Sequence, residues 1–124
     1  MIEKELKLLV VDDNEEIRYL IRMTFKRQPN VKVFEAINAQ EGLKHFYEYL
    51  PDIVLSDLIM DGEMGGLDLC RQIKASDNKC PVILFSGKGE QNIIDLGMKA
   101  GADMYKLKPF SPTELINIVR ELAI

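Results

Sequence analysis

Leu6-Lys-Leu-Leu-Val-Val-Asp12-Asp13 decides the reading of this chain: a mostly apolar run that ends on two adjacent carboxylates. A run of that length and character reads as a strand covered on both faces. Three further runs end in the same manner. Ile-Val-Leu-Ser leads to Asp57, Pro-Val-Ile-Leu-Phe to Ser86, and Met-Tyr-Lys-Leu to Lys108-Pro109. In a parallel sheet such ends lie side by side along the carboxyl edge, where open α/β sheets bind their ligands. Residues spread over most of the sequence are thereby expected to form one site.

Working outward, strand-like runs and helix-period segments alternate five times, with runs at 6–11, 31–36, 53–55, 82–85 and 104–107. The first helix carries Ile17, Leu20, Ile21, Thr24 and Phe25 as its stripe, with Glu15, Arg18, Arg22 and Lys26 off it, and stops at Gln28-Pro29-Asn30. The second carries Ala39, Leu43, Phe46 and Leu50 and ends before Pro51. The third is expected over 67–76 with Leu69, Cys70 and Ile73 inward, and the fourth over 91–99, stopped by Gly101. Ser111-Pro112-Thr113-Glu114 is a capping box with proline at the first helical position, opening a fifth helix with Leu115, Ile118, Val119 and Leu122 buried.

Strand–helix alternation with short links predicts an α/β fold, a parallel sheet with helices on both faces. The first, third and fourth runs are continuously apolar, as central strands are. The second and fifth are mixed, as edge strands are. The order 2-1-3-4-5 follows, a doubly wound, flavodoxin-like sheet whose switch point brings Asp12, Asp13 and Asp57 together.

Composition bounds the rest. The 124 residues fit one domain, 47% are apolar and 29% charged, and the net charge is −4. No basic run marks a nucleic-acid surface, no apolar stretch approaches membrane-spanning length, and the first residues lack the apolar segment of a secretory signal. Cys70 and Cys80 form no disulfide or zinc pattern and fit a reducing cytoplasm.

Three carboxylates at adjoining strand ends repel one another unless a cation sits between them, and a hard divalent ion such as magnesium suits that donor set. Helix capping by Asp13 or Asn14 competes for one of these residues, but leaves a doublet plus Asp57 unexplained. A carboxylate can serve as nucleophile toward a phosphoryl group, in chemistry that needs charge neutralisation more than acid–base catalysis. Lys108 can supply positive charge, and Ser86 can donate a hydrogen bond to a phosphoryl oxygen. His45 reads as a solvated helix residue, and Tyr105 as an edge-strand aromatic.

Val-Val-Asp12-Asp13, Asp57-Leu-Ile-Met60, Ser86-Gly87 and Gly101-Ala-Asp-Met-Tyr-Lys-Leu-Lys-Pro-Phe110 together resemble the receiver domain of bacterial response regulators, in order and over essentially the whole chain. The resemblance implies a two-component signalling switch rather than a classical enzyme, catalysing only its own phosphorylation and autodephosphorylation. Asp57 would take a phosphoryl group from a histidine kinase or phosphotransfer protein. Asp12, Asp13, Asp57 and the backbone carbonyl of Ile59 would hold Mg2+. Ser86 and Tyr105 match the switch pair, and Lys108-Pro109 the family's lysine before a cis-proline. The face of the fourth helix, fifth strand and fifth helix would dock a downstream protein, with Ile93, Ile94, Leu96 and Met98 more apolar than one inward stripe needs. Phosphorylation-dependent dimerisation through that face stays open. The expectation is one receiver domain over 1–124, cytoplasmic, with no output domain in this chain and no direct nucleic-acid or membrane contact.

The loop after Asp57 departs from the family pattern. It reads Asp-Leu-Ile-Met-Asp-Gly-Glu-Met-Gly-Gly, lacks the usual proline, and sets Met60 and Met64 one residue further apart. Gly62, Gly65 and Gly66 are expected to make it permissive and its metal grip weaker, with Asp61 a solvated turn residue or a further acid near the cation. Ile59, two positions after Asp57, cannot orient a water by hydrogen bonding, so slow autodephosphorylation is expected. A phosphatase of the haloacid dehalogenase type would want an acid at Ile59, and a flavin module a phosphate-cradling loop; this chain has neither. The alternative that survives is a degenerate receiver acting by docking alone.

Overall fold

The computed structural model describes residues 5–60, 65–87 and 89–123. Strands β1 (Leu6–Val11), β2 (Val31–Ala36), β3 (Ile53–Asp57), β4 (Val82–Ser86) and β5 (Met104–Leu107) alternate with helices α1 (Glu15–Phe25), α2 (Ala39–Tyr49), α3 (Gly66–Ala75), α4 (Gln91–Lys99) and α5 (Pro112–Ala123). The sheet is parallel with order β2-β1-β3-β4-β5, as the strand character predicts. β3 and β4 run further than their apolar runs suggest and take in Asp57 and Ser86 themselves. Ladder pairing holds those two positions in the sheet rather than in the loops that follow.

The pleat sends alternate residues of β1 to opposite faces. Leu9 and Val11 join Val54, Leu84, Phe46, Leu69 and Ile73 under α2, α3 and α4. Leu8 and Val10 join Leu55, Ile83, Phe85, Ile21, Phe25, Leu115 and Val119 under α1 and α5. Every residue of β3 and β4 is buried, whereas β2 and β5 are largely half-exposed edges.

Helix ends follow the local chemistry. Asn14, not Asp13, caps α1: its side-chain oxygen accepts from Glu16 N at 2.8 Å and Ile17 N at 3.4 Å. Asn38 caps α2 through Glu41 N at 2.8 Å, and Ser111 Oγ accepts from Glu114 N at 3.0 Å as the capping box requires. Leu50 ends α2 in the left-handed region, φ 49°, and Gly101 follows α4 at φ 103°.

Four expectations need correction. Leu20, placed in the α1 stripe, is exposed, while Arg18, placed off it, is buried. Arg18 goes inward because it finds oxygen partners there, a choice that periodicity cannot foresee. Leu50 is exposed because the left-handed cap turns it off the helix face. His45 is half-buried against the Tyr49 ring, with a buried Nδ1, rather than solvated. α3 spans Gly66–Ala75, one residue earlier than expected, with Ser76 as its C-cap.

Cys70 and Cys80 are free and buried, and burial pushes their thiols up to about 11 and about 12, so both stay protonated at neutral pH. Among the described residues no helix is long and apolar enough to cross a membrane. Asp61, Gly62 and Met64 lie outside the described residues; Met60 is buried in the core.

Candidate functional site

β1 delivers Asp12 fully buried and Asp13 exposed just past its end. β3, its neighbour, delivers Asp57, which is also buried. The three carboxylates bring one oxygen each to within 4.8 Å of one another. Buried Ser86 ends β4, next to β3, and Lys108 follows β5 with the predicted cis bond to Pro109.

Lys108 closes the constellation. Its Nζ lies 3.3 Å from Asp12 Oδ2 and 3.5 Å from Asp57 Oδ1, and 5.1 Å from the centre of the Phe85 ring. Its backbone N–H donates to the Ser86 carbonyl at 2.8 Å, so the residue is anchored at both ends. On the other side Asn14 N donates to Asp12 Oδ1 at 2.8 Å.

These groups set opposing influences on the acids. Burial pushes the Asp57 carboxyl up to about 6 from 3.8, and the nearby Asp12 charge pushes the same way; Lys108 and the Ile59 backbone N–H pull it down. Burial also raises Asp12, against its hydrogen bond from Asn14 and the Lys108 charge. Like charges crowded out of water are the signature of a functional cluster rather than a stabilising one. Three convergent carboxylate oxygens form a hard donor set that could hold a divalent cation, with open positions left for water or substrate oxygens.

The loop side of the site rests on a close approach. A Cβ on Gly66 would sit 2.2 Å from the Asp57 carbonyl oxygen, and the Gly66 N–H donates to the Leu58 carbonyl at 3.1 Å. Gly66 is thus required for packing α3 onto the end of β3, where sequence reasoning saw only loop freedom. Ile59 presents a side chain 55% exposed beside Asp57. Tyr105 is half-buried and packs toward α4: a Cβ on Gly97 would lie 3.1 Å from its ring. Leu96 and Met98, which flank Gly97 on α4, and Leu107 at the end of β5 are exposed.

Sequence reading missed Arg18 and Glu35. Arg18 Nη1 donates to the Asp12 carbonyl at 2.5 Å, and Arg22 Nη1 lies 2.6 Å from Glu35 Oε2 on β2. The only prior signal was an arginine on a helix directly after the acidic pair, which a solvated face explains equally well.

The model of the response regulator receiver domain matches residues 8–120. The transcriptional regulatory protein ResD of Bacillus subtilis is 41% identical over 118 residues, covering 95% of this chain and 48% of that protein. The chemotaxis protein CheY of Listeria monocytogenes is 36% identical over 118 residues, covering 95% and 98%. The chain therefore spans about half the length of the curated transcriptional regulators it matches first, 48% of ResD and 45% of PhoP of Bacillus subtilis. Among solved structures, the signal receiver domain of NarL from Mycobacterium tuberculosis superposes with a TM-score of 0.91 at 25% identity, covering 98% of each chain. A receiver domain protein from Clostridium thermocellum gives 0.85 at 30% identity, covering 95% of this chain and 94% of that one. Fold, strand-end acids and matched residues agree: the chain belongs to the response regulator receiver domain family.

Proposed function

We propose that this domain is a phosphorylation-controlled switch in which Asp57 accepts a phosphoryl group from a histidine kinase or phosphotransfer protein. The observation that carries the reading is Lys108 Nζ bridging Asp12 and Asp57, at 3.3 and 3.5 Å, beside a carboxylate cluster suited to a cation. An Asp57 carboxylate oxygen attacks phosphorus; the O–P bond forms as the P–N bond of the phosphohistidine breaks, and its electron pair stays on the imidazole nitrogen. Mg2+ bound by Asp12, Asp13, Asp57 and the Ile59 carbonyl would neutralise phosphoryl charge. Lys108 would supply further positive charge, and the Ser86 hydroxyl would donate to a phosphoryl oxygen. Ser86 and Tyr105 then bias a two-state equilibrium that alters the α4–β5–α5 surface for a downstream protein.

In this reading residues 1–124 act as one receiver unit in the cytoplasm, and their catalysis is confined to their own phosphorylation and dephosphorylation. Intact mass after incubation with a small phosphodonor, with and without magnesium and beside Asp57→Asn, tests it. A magnesium-dependent gain of one phosphoryl group, absent from the variant, is expected. No gain under any condition would replace the switch by a receiver that signals through docking alone.

A further inference from the structure

Arg18 is a buried charge that the proposed phosphoryl chemistry does not use. It retains 7% exposure on α1, where an ion is costly unless its donors are met. Nη2 meets Glu15 Oε2, Nε lies 3.4 Å from Glu35 Oε1, and Arg22 holds the other Glu35 oxygen at 2.6 Å. Arg18, Arg22, Glu15 and Glu35 sum to zero charge, so the network is balanced without any further partner. Arg18 Nη1 nevertheless goes to a neutral acceptor, the Asp12 carbonyl oxygen, at 2.5 Å.

That oxygen belongs to the peptide joining Asp12 to Asp13. The Asp12 N–H is already tied to the Ala36 carbonyl at 3.1 Å, and its carboxylate to the Asn14 N–H at 2.8 Å. Lys108 Nζ holds the other carboxylate oxygen at 3.3 Å, and the bond from Arg18 restrains the carbonyl of the peptide that leads into Asp13. We infer that Arg18 is a positioning residue for the divalent-cation site: it fixes the Asp12–Asp13 peptide so that both carboxylates converge on Asp57. This rests on the reading that those three acids hold magnesium.

Magnesium titration of the whole chain, followed by calorimetry and by the amide resonances of Asp12 and Asp13, tests the inference. Arg18→Met is expected to bind magnesium about tenfold more weakly, the loss typical of removing an outer-shell partner. Its phosphorylation rate at saturating magnesium should be retained. The sign is diagnostic, because deleting a positive charge beside a cation site would by electrostatics alone tighten binding. Arg18→Lys keeps the charge but offers a compact donor in place of a planar fork, so a smaller weakening is expected. A folded Arg18→Met with wild-type or tighter affinity overturns the inference. If that variant does not fold, wild-type affinity in Arg18→Lys overturns it instead. Wild-type protein that binds no magnesium overturns the metal reading itself, and the inference with it.

Discussion

The acid pocket and the α4–β5 face sit on one sheet but are built on opposite terms. In the pocket, charged groups are buried and tied down: Asp12 by Asn14, Ala36, Arg18 and Lys108, and Lys108 by the Ser86 carbonyl. Around α4 and β5, Leu96, Met98 and Leu107 are exposed, and Tyr105 leans on a helix whose facing residue, Gly97, has no side chain. Preorganised charge lowers barriers only if it does not move. A surface that must change with phosphorylation needs conformations separated by little energy. The tied-down charges lie where chemistry is proposed, and the helix contact without a side chain lies on the proposed docking face.

Removing Lys108 should break the pocket's side of the comparison most severely. Lys108→Ala is expected to slow phosphorylation by a small phosphodonor about 100-fold, as loss of a single preorganised charge does elsewhere; a rate near wild type would mean the pocket is not organised around this lysine. Gly66→Ala comes next, since its Cβ would meet backbone that cannot yield. It should cost about 3 kcal/mol in denaturant unfolding, the upper end of overpacking effects.

The raised acid gives the pocket a pH signature of its own. Asp57 has a folded value of about 6 against 3.8 unfolded, so between those values the folded state binds more protons. Stability of metal-free protein should therefore fall as pH rises from about 4 to 6, by about 2 kcal/mol, and level off above. Asp57→Asn should remove that decline and be the more stable protein at pH 7. A metal-free melting profile that instead rises over this window would show that Lys108 outweighs desolvation.

At Ile59 the expected effect is a several-fold change in hydrolysis rate. Loss of the phosphoryl group should be slow in the wild type and faster in Ile59→Asn, followed by intact mass over time; equal rates would remove this residue from the mechanism. The smallest effect belongs to the α4–β5 face. In Gly97→Ala, helix propensity favours the substitution by about 1 kcal/mol while contacts at 3.1 Å to Tyr105 and 3.2 Å to Leu84 oppose it. Stability should change by less than about 1 kcal/mol, yet the Tyr105 ring resonances should move. Unmoved resonances would show that α4 does not restrict the ring.

What could be read in advance follows from how local each signal is. The strand order came from apolar continuity in β1, β3 and β4 against the mixed β2 and β5, because burial on both faces demands it residue by residue. The convergence of Asp12, Asp13 and Asp57 followed from that order, and the Ser111 cap from four adjacent residues. Helical spacing ranks residues by hydrophobicity and puts Arg18 outside, whereas a guanidinium goes inward where the fold gathers oxygens around it, here from Asp12, Glu15 and Glu35. Gly66 reads as freedom in a sequence, which does not show the backbone pressed against it. His45 reads as solvated in the sequence because the Tyr49 packing beside it is a property of the folded helix face.

Strand burial and chain order are enough to place the winding and the sheet edge on which Asp12, Asp13 and Asp57 converge. Packing in three dimensions is what lets Lys108 span Asp12 and Asp57, brings Arg18 to the Asp12 carbonyl, and makes Gly66 and Gly97 points of close approach. Those are contacts between side chains and backbone far apart in the chain or hidden by helical periodicity. Their distances are fixed by packing, and no local pattern encodes them.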